Sequence, residues 1–233
     1  MKYVGELLSE KDNYNKTALV LSDETLLPIT LNSLPEKVSA INITMGYPLK
    51  DIPLTSLFLS LFQLFISQEK LQKKESKQFY YKDVIKVLKQ PLIHRLLLVE
   101  NSSISDEIAT VIHNNNHTFI SKEFLDSFLK RSGDSTHDLV GSLFTNSDDI
   151  STFLNKILLL IDRLKSSVES LEKEFLFRYF TVFTQLYNLQ LEFGYFSDLK
   201  TLYQFFKQLI GSETISFQGE PLAGLQLMGM LET

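Results

Sequence analysis

The chain has 233 residues, 44% hydrophobic and 22% charged, with 18 Phe and 9 Tyr, which is enough for one large domain or two small ones around an aromatic core. A net charge of −5 and an isoelectric point near 5.4 exclude a uniformly basic nucleic-acid-binding domain, so contact with DNA would need a local patch or a partner region. The absence of Cys excludes disulfides, iron–sulfur clusters and thiolate zinc sites, and fits a reducing, cytoplasmic compartment.

Residues 1–6 carry no signal-peptide apolar core. Residues 17–21 (Thr-Ala-Leu-Val-Leu) form a short apolar run that reads as a buried strand of a parallel sheet, closed by Ser22-Asp23-Glu24. Residues 24–34 read as a helix with Leu26, Leu27, Ile29 and Leu31 apolar, and Pro28 falls in the first turn, where it is tolerated. Residues 38–45 alternate apolar with small polar side chains and predict a second strand ended by Gly46-Tyr47-Pro48. This is β-α-β order, the unit of a parallel α/β sheet.

From Pro53 the period becomes helical. Residues 54–66 are the longest apolar run, broken by Ser60 and Gln63; it is too short for a membrane span and predicts a buried helix over 54–68. Lys70 to Lys77 read as a charged loop, then helices follow over 80–89, 91–98, 105–112 and 121–130, the last two with Ser or Asn as capping candidates. Two long helices are expected over 150–170 and 171–193. Gly194 breaks the pattern, and a helix over 198–210 ends at Gly211. Residues 213–218 return to strand character, and residues 219–233 read as a turn followed by an apolar helical stripe. Because the chain stops inside that stripe, it reads as a piece of a longer protein. With only 9 Gly and 6 Pro, a turn-rich all-β fold is disfavoured. The fold class is therefore α/β with a large α-helical insertion: residues 1–53 plus 212–233 build a partial RecA-like parallel sheet, and 54–211 form a helical bundle between them.

Few motifs carry chemistry. Residues 17–24 look like a Walker B strand ending in Asp and Glu, but no G-x-x-x-x-G-K-[ST] accompanies them, so Asp23 or Glu24 reads as a helix cap. His113 and His117 are spaced for one helix face, yet the three Asn between them favour a polar loop without a metal. Residues 133–138 hold Ser, His and Asp too close in sequence to converge as a triad, and read as a turn. Lys70 to Lys77 is the most basic stretch and reads as a solvated loop. The aromatics of 175–193 sit at near-helical spacing and read first as core, although such rings can stack on bases.

Three segments together resemble a family: residues 17–35, Ile41-Asn42-Ile43-Thr44-Met45-Gly46-Tyr47-Pro48-Leu49, and the Gly-Glu-Pro-Leu-x-Gly-Leu-Gln-x-Met-Gly-x-Leu-Glu-Thr string of 219–233. In this order they are similar to the second motor half of AddB-like, superfamily I helicase-related proteins of the kind fused to a C-terminal PD-(D/E)XK nuclease in Bacteroidetes-type bacteria. The resemblance is sharpest in the second and third segments; the helical middle matches in layout alone. It implies that 17–21 are the strand of helicase motif IV, that 219–233 run into motif V, and that the helices are the insertion such proteins place inside this motor domain. Active members end the motif IV strand with an arginine that stabilises the γ-phosphate charge. Here that end reads Leu21-Ser22-Asp23-Glu24, which implies a degenerate nucleotide site.

On this reading the chain is a DNA-binding or structural lobe of a DNA helicase/exonuclease-type repair protein, without catalytic or metal residues of its own. ATP and magnesium belong to a complete parent. The implied partners are DNA, the missing first motor domain and nuclease domain, and a helicase–nuclease partner subunit; no membrane is involved. Candidate nucleic-acid contacts are Thr44, Gly46 and Tyr47 after the second strand, and Gly219, Gly224 and Gln226 in the turn near the end, where backbone N–H groups can bind phosphate. The rival reading, favoured by the acidic charge and aromatic helices, is a helical protein–protein interaction module on a small α/β base. A stand-alone enzyme lacks a catalytic constellation.

Overall fold

A parallel strand pairs only through a long crossover, so distant parts of the chain must meet wherever such a sheet forms. The computed structural model describes residues 2–11, 13–71, 78–99, 102–145, 149–168, 170–215 and 224–230. In chain order the elements are α1 (Lys2–Ser9), β1 (Ala18–Leu21), α2 (Leu27–Leu31), β2 (Ile41–Ile43), β3 (Tyr47–Pro48), α3 (Thr55–Leu71), β4 (Phe79–Tyr80), α4 (Tyr81–Leu88), α5 (Pro91–Leu96), β5 (Leu98–Val99), β6 (Ser102–Ser103), α6 (Ile104–Asn114), β7 (Phe119–Ile120), α7 (Lys122–Leu129), α8 (Asp134–Leu143), α9 (Ile150–Leu164), α10 (Ser170–Phe193), α11 (Leu199–Ser212), β8 (Thr214–Ile215) and β9 (Leu225–Gly229). They fall into two units, one of residues 1–51 and 210–233, the other of residues 52–209. The fold is α/β with a large helical insertion.

In the first unit β9 lies between β1 and β2, parallel to both, with Leu19 opposite Leu227 and Ile43 opposite Leu227 on the other side. Leu21, Ile43, Leu225 and Leu227 are buried on one face. The other face carries Val20, 43% exposed, and the half-buried Met228, so β1 is not the fully buried strand its apolar run predicts.

Two expectations about the end of the chain are corrected. Ile215 does not join the parallel sheet: β8 pairs antiparallel with β3 instead, Tyr47 opposite Ile215. The third parallel strand is β9, from residues that read as a helical stripe. Leu225, Leu227 and Gly229 are buried while Gln226 and Met228 are half-buried, a period of two. A strand with ladders on both edges satisfies its backbone on both sides, and Gly224 and Gly229 weaken a competing helix.

Gly224 shows why the entry into β9 is fixed. Its φ is +76°, and a Cβ there would stand 2.1 Å from the carbonyl oxygen of Ala40. Its N–H donates to Asn15 Oδ1 at 2.7 Å, and the next N–H, of Leu225, to Ala40 O at 3.0 Å.

The second unit is built around α3, which buries Leu57, Phe58, Leu61, Phe62, Leu64 and Phe65 over more than one face, as its run of apolar residues predicts. Phe62 meets Phe153 of α9 at 4.9 Å and Phe206 of α11 at 5.2 Å between ring centroids. Phe58 meets Tyr179 and Phe183 of α10 at 4.6 and 4.9 Å. Rings at these separations and tilts gain beyond the area they bury. The Tyr179 hydroxyl, hydrogen-bonded to Thr55 Oγ1, is pushed up from its ordinary pKa by burial. The aromatics of α10 therefore divide: Tyr179 and Phe183 are core, whereas Phe177 and Phe193 are exposed.

Residue spacing alone does not reveal α1 or α8. The turn expected over 133–138 is a turn only at Gly133, φ +87°; Asp134 already begins α8. The two long helices are separate, because the chain tightens into a 3-10 turn at Lys165–Ser167. The helix expected over 24–34 is a 3-10 turn, Glu24–Leu26, followed by α2. Of the loop expected over 70–77, Lys70 and Leu71 instead continue α3, and 72–77 lie outside the described residues.

Gly224→Ala should destabilise the chain by about 2–4 kcal/mol, through a strained φ and the collision with Ala40. Urea unfolding should show a lower midpoint with an unchanged slope. Phe62→Ala, which empties the centre of the aromatic core, should cost about 3–5 kcal/mol in the same measurement.

Candidate functional site

In an open parallel sheet the loops after the strands form the ligand edge. That edge is made here by the ends of β1 and β2 and of β9 between them. At the end of β1, Asp23 Oδ1 accepts from the N–H of Thr25 at 3.0 Å and from its hydroxyl at 2.6 Å. These bonds, the hydroxyl first, hold the Asp23 carboxyl below the usual aspartate range. Asp23 thus caps the turn that leads into α2, the role its sequence context predicts. Glu24 reaches over the end of β9: a Cβ on Gly229 would stand 2.6 Å from Glu24 Oε1. Two carboxylates therefore stand at this edge of the sheet, and their charge disfavours an anion there.

The predicted contact residues separate into two groups. Thr44, Gly46 and Tyr47 follow the carboxyl end of β2, on the ligand edge. Gly224 and Gln226 stand at the amino end of β9, the opposite edge of the sheet. They do not form one site, because a parallel strand enters and leaves the sheet at opposite ends. Gly219 lies outside the described residues.

The expected phosphate donors are also engaged within the fold. Thr44 donates its N–H to Leu227 O at 3.0 Å, and Gln226 donates its N–H to Thr17 O at 3.0 Å. The Gln226 side chain accepts from Asn42 Nδ2 at 2.6 Å and donates to Gly224 O at 3.3 Å. Gly46 lets the backbone pass Thr214, since a Cβ there would stand 2.8 Å from the Thr214 Cβ. Tyr47 belongs to the β3–β8 pair. Each of these residues holds the first unit together.

In the second unit the structure assembles side chains that sequence spacing does not connect. His94 Nε2 lies 3.1 Å from Ser103 Oγ and 3.3 Å from Asp106 Oδ2. Ser, His and Asp meet, but on the same imidazole nitrogen, so no relay from carboxylate through the ring to the hydroxyl exists. Ser103 Oγ also accepts the N–H of Asp106 at 3.2 Å and caps α6. Hydrogen bonding from His94, then from Ser103, lowers the Asp106 pKa. His137 is held between Asp126 and Asp138, its Nε2 3.4 Å and its Nδ1 3.5 Å from their carboxylates. His113 is on α6, with Nδ1 donating to Ala109 O at 2.6 Å, and His117 lies beyond the helix end. Among the described residues no three His, Asp or Glu side chains are placed to hold a metal, and no helix is long and apolar enough to cross a membrane.

Glu69, Asp149 and Asp198 line one surface depression. Asp149 and Asp198 accept from the N–H groups of Thr152 and Thr201 at 2.6 and 2.7 Å, and so serve the starts of α9 and α11. Glu69 has its pKa raised, by burial first and then by the charge of Asp198.

No protein-family model matches the chain, and no curated protein matches it.

A raised folded-state pKa means that ionised Glu69 costs stability at neutral pH, a cost absent below the ordinary glutamate pKa. Glu69→Gln should raise Tm by about 1–3 °C near neutral pH, the gain reduced by the group's partial exposure. Thermal melts at about pH 3.5, where the carboxyl is neutral in both states, should show no difference.

Proposed function

We propose that this chain is the RecA-like second motor lobe, with its helical insertion, of a helicase/exonuclease-type DNA repair protein of the AddB-like group. The lobe is structural or DNA-holding and has no activity of its own. ATP and magnesium act in the complete parent, which also supplies the first motor domain, the nuclease domain and the route to DNA and to a helicase–nuclease partner subunit in the cytoplasm.

The observation that carries this reading is the strand order β1-β9-β2. The last strand lies between two strands of the first fifty residues, and the helical unit is an excursion between strands of one parallel sheet. The resemblance in the segments that supply all three strands requires this nesting. The inert character is supported by Asp23 and Glu24, which follow β1 at the position where the resemblance calls for an arginine.

A second reading, a protein–protein interaction module, is favoured by the exposed apolar side chains of α10, with Phe177, Leu191 and Phe193 54%, 58% and 70% exposed.

The two separate in the complete parent protein. The motor-lobe reading expects a parent that binds DNA and whose DNA-stimulated ATP hydrolysis owes nothing to this lobe, so that Asp23→Ala leaves the rate unchanged. A parent indifferent to DNA overturns the DNA-processing assignment in favour of the interaction module. An ATPase that collapses in the Asp23 variant overturns the inert lobe.

A further inference from the structure

The second unit carries the most basic stretch of this acidic chain. Residues 70–89 hold seven of its 23 basic residues, all Lys, and two of its 28 acidic ones. Lys82, Lys86 and Lys89 are spaced by four and three along α4, which places them on one face, and all three are exposed. Asp83, the acid between them, is half-buried with its Oδ2 out of contact with solvent.

Beside this face runs a row of aromatic rings. Phe119 of β7 stands opposite Tyr80 of β4 with centroids 6.3 Å apart. Tyr80 meets Tyr81 at 5.0 Å, and Tyr81 meets His113 of α6 at 6.3 Å. Phe119 and His113, at the two ends of the row, are exposed, and Tyr80 and Tyr81 are half-buried. Lys82 Nζ lies over the Tyr81 ring, 5.9 Å from its centroid.

Two acids of the neighbouring α6 are paired with cations. Asp106 pairs with Lys89 at 3.4 Å and with His94, and Glu107 pairs with Arg131 at 2.5 Å. None of the ion pairs among the described residues involves Lys82 or Lys86.

We propose that the lysine face of α4 and the adjoining row Phe119, Tyr80, Tyr81 and His113 form a binding surface for single-stranded nucleic acid. Phosphates sit against Lys82 and Lys86, and unpaired bases stack on the rings. Charge complementarity alone would also suit an acidic polypeptide. The rings favour the nucleic acid, because every base offers a π face to stack, whereas Asp and Glu side chains offer no aromatic ring. A duplex keeps its base faces stacked, so the single strand is the form that fits. The inference lies wholly within the second unit and does not depend on the motor-lobe reading.

Fluorescence anisotropy of a labelled 20-mer of deoxythymidine with the 233-residue chain tests it. The expected result is binding that weakens about sevenfold between 50 and 200 mM salt, as roughly two phosphate contacts require. Lys82→Glu/Lys86→Glu should weaken it at least tenfold. Phe119→Ser should weaken it several-fold with the salt dependence kept, since that residue carries no charge. Lys82→Gln/Lys86→Gln, with circular dichroism to show an unchanged fold, guards against a misfolded variant. Absence of binding, binding indifferent to both lysine variants, or equal binding of a poly-glutamate peptide would overturn the proposal. Loss of binding in Thr44→Glu but not in the lysine variants would place the contact at the sheet edge and overturn it as well.

Discussion

The placement of β9 between β1 and β2 is the constraint on which the architecture depends. A parallel sheet has no local turn that can make it, so these ladders form only when residues 225–229 return to the first fifty after a long excursion. The return is enforced at its first residue. Gly224 takes a backbone conformation that side chains resist, its N–H is claimed by Asn15, and its α-carbon stands so close to Ala40 that nothing larger fits. Once that contact is made, register follows, with Leu225 and Leu227 on the face that also holds Ile43 and Leu21.

The helical unit has a different source of stability. Its centre is a set of rings that touch across four helices, with Phe62 meeting Phe153, Tyr203 and Phe206 at 4.9 to 5.5 Å. A parallel sheet of short strands has little area to bury, whereas α3 buries side chains from Thr55 to Gln68.

The two places where chemistry might be sought behave in opposite ways. At the sheet edges the candidate residues are absorbed by the fold: Thr44, Gly224 and Gln226 spend their N–H groups on Leu227, Asn15 and Thr17. On α4 the basic groups Lys82 and Lys86 stay exposed beside rings. A polar group that completes a ladder is lost to ligands, while one on the outer face of an amphipathic helix remains accessible. The same distinction separates the Ser103–His94–Asp106 cluster from a catalytic triad: the groups meet, but their bonds close on one nitrogen and on a helix cap.

What the sequence by itself determined is local. The strand expected over 17–21, the buried helix expected over 54–68, an acidic cap after the first strand, the cap at Ser121 and the break at Gly194 follow from residue spacing, side-chain capping chemistry and the φ freedom of glycine. The helical excursion between two β-containing ends is legible for the same reason, since the period changes from two to 3.6 and back. Only the tertiary structure decided that residues 225–229 extend rather than coil, because their apolar spacing suits both and the ladders to β1 and β2 settle it. It alone moved Ile215 out of the parallel sheet, set the predicted contact residues at opposite edges, and brought Tyr81 beside His113 from 32 positions away in the chain. Those outcomes depend on which distant segments meet, and short-range spacing holds no information about that.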